Sequence, residues 1–150
     1  MQSARWVWAS SKGAPDYNAW AWFRCRFTWD GKSPVALRLS ADTRYRLWVN
    51  ECWGGDGPVR GWPDAWYCDS RDLGPALREG ENTVLILVQH HGRNTSHTIA
   101  QEPGFIGELL LDGKVAVATG VQGWEAADAP EFRPDSPRIS VQLPAMEIYD

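Results

Sequence analysis

AWFRCRFTW, residues 21–29, alternates without a break: Phe23, Cys25, Phe27 and Trp29 fall on one face, Trp22, Arg24, Arg26 and Thr28 on the other. Successive side chains of a strand point to opposite faces, so this pattern sends one face to a core and leaves the other wet. YRLWVN, 45–50, obeys the same rule, with Tyr45, Leu47 and Val49 opposing Arg46, Trp48 and Asn50. VLILV, 84–88, has no alternation and predicts a central strand buried on both sides. Working outward, short apolar or alternating runs bounded by turn residues predict strands at 5–10, 21–29, 35–41, 45–50, 82–91, 105–112, 114–120 and 137–144. No stretch sustains the apolar spacing of a helix. About eight strands of this kind predict an all-β chain, an antiparallel β-sandwich of jelly-roll form.

The punctuation is local. DGK at 30–32 and again at 112–114 predicts two tight hairpin turns, because Asp-Gly suits positive φ. LGPALREGEN, 73–82, predicts one short helical or 3-10 turn begun at Pro75 and closed by Gly80. WEAADAPEFRPDSPR, 124–138, reads as an irregular surface connection.

With 150 residues and 43% hydrophobic content, the chain can bury one core without disulfide staples, which predicts one domain over 1–150. A net charge of −4 argues against a nucleic-acid partner, which leaves a basic footprint. The longest apolar runs fall far short of the roughly 20 residues of a membrane span, so no membrane partner is expected. MQSARWVWASSKG lacks the layout of a secretory signal, and EIYD directly follows a strand-like segment, which predicts a piece cut from a longer cytoplasmic or secreted protein. Cys25, Cys52 and Cys68 show no CxxC spacing; a Cys52–Cys68 bridge and free thiols both stand open.

GDGPVRGWPDAWYCDSRDL, 55–73, suits neither a helix nor a plain strand. DTRYRLWVN, then this loop, then LREGENTVLILVQHHG, then PGFIGELLLDG, resemble in order the N-terminal β-sandwich of bacterial α-L-rhamnosidases and related glycoside hydrolases. The specific part is the ordered set Val-Asn, Gly-Pro-x-Arg, Tyr-x-Asp, Asp-Leu, Gly-Glu-Asn. The resemblance implies a galactose-binding-domain-like jelly roll ahead of a helical toroid that carries the glycosidase chemistry, so no catalytic residue is carried over. Where the family has Val-Asn-Gly this chain has Val49-Asn50-Glu51, and Tyr67-Cys68-Asp69 replaces Tyr-Tyr-Asp.

Sugar recognition combines flat aromatic faces with planar polar groups. Trp53, Trp62, Trp66 and Tyr67 beside Asp56, Arg60 and Asp64 are therefore the candidate carbohydrate-binding residues, for L-rhamnose- or galactose-containing polysaccharide. A framework reading stands beside this one: Gly57, Pro58, Arg60, Tyr67 and Asp69 shape the loop, Trp62-Pro63 a turn, and Asp69 and Asp72 cap the turn at 73–77. Asn50, Asp56, Asp64 and Asp69 are candidate calcium ligands, although their spacing matches no EF-hand loop. His90 and His91 point to opposite faces, so at most one can join His97, and satisfied strand-end histidines are expected. The sequence thus supports a carbohydrate-binding accessory module, a purely structural module packed on a catalytic domain of the same parent chain, or a stand-alone glycan-active enzyme. For the last, Glu102, Glu108, Asp64 and Asp69 are the acids to consider. NTS at 94–96 matches a glycosylation sequon.

Overall fold

Two antiparallel sheets face each other in the structure, a computed structural model that describes residues 1–9, 17–62, 64–96 and 98–150. Nine strands are formed among these residues: β1 (Ala19–Trp29), β2 (Val35–Asp42), β3 (Arg44–Val49), β4 (Cys52–Gly57), β5 (Asp69–Asp72), β6 (Gly80–His90), β7 (Gly104–Leu111), β8 (Lys114–Ala118) and β9 (Trp124–Asp128). The orders are β4-β3-β6-β1-β9 and β5-β2-β7-β8. The fold is an all-β sandwich, with a 3-10 turn at Gly74–Ala76 and no α-helix among the described residues.

The predicted faces are correct. Phe23, Cys25 and Phe27 of β1 meet Tyr45, Leu47 and Val49 of β3 and Val84, Ile86 and Val88 of β6 in one core with Leu37, Leu39, Phe105 and Leu109 of the second sheet. Burial pushes the Cys25 thiol up to about 12, as expected of an inert core cysteine. VLILV lies in β6, the middle strand of the larger sheet, as expected, but it is not buried on both sides throughout, because Leu85 is half-exposed on the outer face.

Turns divide by what they join. Asp112 and Gly113, both at positive φ, close the β7–β8 hairpin as predicted. Asp30 instead ends β1 and leads to β2, which lies in the other sheet, so DGK at 30–32 is a crossing and no hairpin. Its carboxylate accepts from the backbone N–H of Lys32 and Ser33 and from the Ser33 hydroxyl. The β3–β4 hairpin was not foreseen; Asn50 (φ 48) and Glu51 (φ 70) are its two turn residues. Glu51 thus occupies a left-handed position that glycine adopts without strain.

Three strands were missed and two expectations fail. CWGGDG forms edge strand β4 because β3 supplies its ladder; a Cβ at Gly54 would run into Leu47. DSRD forms β5 against β2, and WEAAD forms β9 against β1, although 124–138 reads as irregular. At 137–144 only an isolated Arg138–Ala145 bridge forms among the described residues, and Ile139 and Val141 are exposed. At 5–10, Val7 alone pairs, with Phe105, while Ser10 lies outside the described residues.

Glu108 explains how the N-terminal segment is held. Its Oε1 accepts from the backbone N–H of Gln2, Ser3 and Ala4 at 2.8, 2.6 and 3.0 Å. Burial alone would raise this acid, but the three N–H donors outweigh it and hold the carboxyl below the usual range. Glu108 is an anchor of the backbone, which accounts for its being a buried carboxylate.

Candidate functional site

β4 and β5 are edge strands of different sheets, so the 58–68 segment between them crosses from one sheet to the other. What ties the two edges is Tyr45, pointing inward from β3. Its hydroxyl donates to Asp69 Oδ2 from β5, and the Arg71 guanidinium reaches the Tyr45 oxygen (3.3 Å), the Asp56 carbonyl (2.8 Å) and the Asp69 carboxylate (3.6 Å). Burial first, and the Asp69 carboxylate second, push the Tyr45 phenol far up, so it stays a donor at all ordinary pH. Gly57 passes so near that a Cβ there would collide with Asp69 and Tyr45. The Gly-Pro-x-Arg and Tyr-x-Asp motifs therefore meet at one node.

Against this node opens a cleft of 480 Å³, bounded by the 57–60 turn, Arg44 and Asp56, Asp69 and Arg71, Thr95 and Thr98, and His91. Arg44 pairs with Asp56 at 3.3 Å. Arg60 lies over the Trp62 ring, 4.7 Å from its centroid, and donates to the Ser96 carbonyl. On the far side of Arg60 a narrow hollow of 20 Å³ runs between Trp62 and Trp66 to buried Asp42.

His90 and His91 divide as alternation requires. His90 turns inward and its Nδ1 hydrogen-bonds with Asp42 Oδ1 at 2.7 Å, as expected of a satisfied histidine. His91 corrects that expectation: it is 5% exposed, borders the cleft, and neither ring nitrogen has a hydrogen-bond partner among the described residues. Burial pulls its pKa down to about 4, with the nearby charges of Asp42, Arg44, His90 and Arg138 acting in smaller measure. Since the folded value lies below the unfolded 6.5, protons bind the unfolded chain first as pH falls. Stability contributed by neutral His91 is thus complete above about pH 6.5 and lost towards pH 4, up to about 3 kcal/mol. Urea titrations at pH 7 and pH 4.5 should show a smaller acid loss for His91→Gln than for the parent; equal losses would remove His91 as the cause.

The sequence-derived residues scatter. Asp56, Arg60 and Asp69 reach the cleft, and Trp62 and Trp66 line the adjoining hollow. Trp66 also packs edge-on against Trp6, 5.6 Å between centroids. Asp64 is exposed in the turn closed by Trp62 and Ala65, and Pro63 and His97 lie outside the described residues. Tyr67 is exposed, contributing its carbonyl to the Ser40 hydroxyl. Trp53 lies on the outer sheet face against Trp48.

The four calcium candidates do not converge. Asn50 is bonded to Asn82, the Ala76 carbonyl and the Thr83 N–H, while Asp56 and Asp69 are engaged by arginines. Among the described residues no three His, Cys, Asp or Glu side chains gather to hold a metal. Cys52 and Cys68 are free, since β4 puts its whole length of roughly 16 Å between the turn at Cys52 and the Gly57–Asp69 end. Asp72 accepts from the Gly74 N–H as foreseen, whereas Asp69 belongs to the Tyr45 node. Arg44 and Arg71 were not singled out as site residues, and His91 was weighed only as a metal candidate and expected to be a satisfied strand-end histidine.

No family model and no curated protein sequence matches the chain. Among solved structures, a GH78 family rhamnosidase of Bacillus sp. GL1 is 35% identical over 99% of this chain, with a TM-score of 0.89. The chain spans only 16% of that enzyme's length. The α-L-rhamnosidase of Streptomyces avermitilis, solved with L-rhamnose, matches at 18% identity and a TM-score of 0.62, over 86% of this chain and 12% of its own. A Pleurotus ostreatus lectin, solved with GalNAc, matches at 19% identity and 0.54, over 97% of this chain and 39% of its own. The last two show the fold alone. Fold, ordered motifs and the near-complete match to one part of the Bacillus enzyme together make this chain similar to a β-sandwich domain of α-L-rhamnosidase-type glycoside hydrolases.

Proposed function

We propose that the chain is a non-catalytic carbohydrate-binding module of a larger α-L-rhamnosidase-type glycoside hydrolase, and that the cleft beside His91 takes the sugar. One observation carries this reading: a buried imidazole with both nitrogens unpartnered among the described residues borders a polar cleft among Arg44, Arg60, Arg71, Asp56 and Asp69. Buried polar groups are nearly always satisfied, so an orphan imidazole at a cleft wall fits a missing hydroxyl partner. The fixed arginines and carboxylates supply donors and acceptors for further hydroxyls. That an α-L-rhamnosidase and a lectin of the same fold were solved with L-rhamnose and GalNAc supports sugar as the ligand class.

The structural-module reading draws on a different face. Ile139 and Val141 are 74% and 81% exposed, and Tyr149 70%, an apolar edge suited to packing against the rest of a parent chain.

Titration of the protein with L-rhamnose, D-galactose and rhamnogalacturonan fragments, followed by amide spectra, separates the two. Saturable binding, weakened about tenfold or more by Arg60→Ala and by His91→Phe, is expected. Chelator should leave it unchanged, because the acidic donors at the cleft are already paired with arginine. Silence from every sugar up to about 50 mM with a folded protein would favour the structural module.

A further inference from the structure

The outer face of the five-stranded sheet is only half covered. Over one half, Phe132 stacks on Trp20 at 4.2 Å, Ala129 packs on Trp20 and Leu87, and Glu147 pairs with Arg46. The 129–150 segment reaches the other half through Glu131, whose Oε1 accepts from the Trp22 indole N–H at 2.5 Å, while Trp53 stays exposed and Leu85 half-buried. There Trp53 of β4 meets Trp48 of β3 edge-on at 5.4 Å, and Trp48 meets Trp22 of β1 at 5.8 Å, the two leaning together across Leu85 of β6. The row crosses four strands. Trp53 is 58% exposed, although an indole gains more by burial than almost any other side chain.

Two hollows flank Trp22, of 440 and 250 Å³, and both are lined by Trp22 and Leu85. The larger has Trp48 as a wall and Asn50, Glu51, Arg78 and Thr83 as its rim. The smaller is edged by the Arg24–Glu125 pair. Glu51, held at a left-handed φ, makes no hydrogen bond or ion pair among the described residues. Among the described residues the Arg78 guanidinium donates only through Nε, to the Glu81 carbonyl at 3.3 Å. Apolar ring surface flanked by an uncommitted carboxylate and guanidinium matches the two-sided chemistry of a pyranose: C–H groups on its face, hydroxyls on its edge.

We propose that this trough is a second carbohydrate-binding surface, taking a glycan chain of at least two sugar residues with Trp22 between successive rings. A protein partner fits less well, because stable interfaces bury about 800 Å² per side. The uncovered strip is confined between the 129–150 segment and the Arg24–Glu125 pair, and its larger hollow of 440 Å³ is of the small-ligand class, about 300–1,000 Å³. The trough and the His91 cleft share no lining residue, so each can bind when the other does not.

The ten indole N–H signals in a nitrogen-labelled sample provide the test, assigned by single Trp→Phe variants. A rhamnogalacturonan tetrasaccharide, alongside neutral oligosaccharides of the same length, should shift Trp22, Trp48 and Trp53, and L-rhamnose alone should shift them about tenfold more weakly. Trp48→Ala should weaken the tetrasaccharide about tenfold; Trp53→Ala and Glu51→Gln, both exposed and fold-neutral, should each weaken it about threefold. Arg60→Ala should leave these shifts intact. The proposal is overturned if every oligosaccharide at about 10 mM moves only Trp62 and Trp66, or none of the ten. Shifts of Trp22, Trp48 and Trp53 on raising protein concentration without sugar would overturn it in favour of self-association.

Discussion

Asn82→Ala is expected to lower the stability of the fold by about 3 kcal/mol, a large share of the 5–15 kcal/mol typical of a domain. Asn82 is fully buried, and its amide uses every capacity it has. Oδ1 accepts from the Arg78 N–H (3.0 Å) and the Asn50 amide (2.6 Å); Nδ2 donates to the carbonyls of Arg78 (2.7 Å) and Gly80 (2.9 Å). Asn50 in turn accepts from the Thr83 N–H and donates to the Ala76 carbonyl. The Asn50–Asn82 pair therefore joins the β3–β4 turn, the 3-10 turn and the start of β6. Alanine removes no ligand-facing group but strands several buried polar atoms, each costing about 1–3 kcal/mol less whatever water recovers. Urea denaturation would show the loss as a lower midpoint at unchanged slope. A loss below about 1 kcal/mol would mean that water replaces the amide and that the node is not a structural tie.

Gly57→Ala is expected to cost a similar amount, about 3 kcal/mol, through crowding rather than lost bonds. The new Cβ would stand 2.8 Å from the Tyr45 oxygen and 2.9 Å from its Cζ, and nearer still to Asp69 Oδ2. Tyr45 is 1% exposed and cannot retreat, so either the 57–60 turn or β5 must move. Both border the cleft, and sugar binding there should fall along with stability. The cause is checked by a double-mutant cycle: in an Asp69→Ala background, which removes the nearest colliding atom, Gly57→Ala should cost about 1 kcal/mol less than alone. Strict additivity would show that the clash is not with Asp69.

These two positions also show how the family motifs were legible and how they were not. Val-Asn, Gly-Glu-Asn, Gly-Pro-x-Arg and Tyr-x-Asp could be recognised in order along the chain. That the first two form one buried amide pair, and the last two one tyrosine-centred node, depends on residues 32 and 24 positions apart coming together, Asn50 with Asn82 and Tyr45 with Asp69. The aromatic residues of the 53–69 segment read as one set because they are close in sequence. β4 separates them, putting Trp53 on the sheet face and Trp62 and Trp66 beyond Arg60.

The sequence by itself determined the all-β class, the buried and wet faces of β1 and β3, the central place of β6 and the Asp112-Gly113 hairpin. Each depends on period-two alternation or on the φ preference of one or two residues, both local properties. Only the tertiary structure decided that the glycine-rich CWGGDG and the alanine-rich WEAAD are strands while the alternating 137–144 is not. An edge strand exists through the ladder its neighbour offers, whatever its own propensity. The same holds for the candidate site. His91 became notable only when folding buried it at a cleft wall with no hydrogen-bond partner among the described residues, a property of the assembled sheets that no residue carries alone.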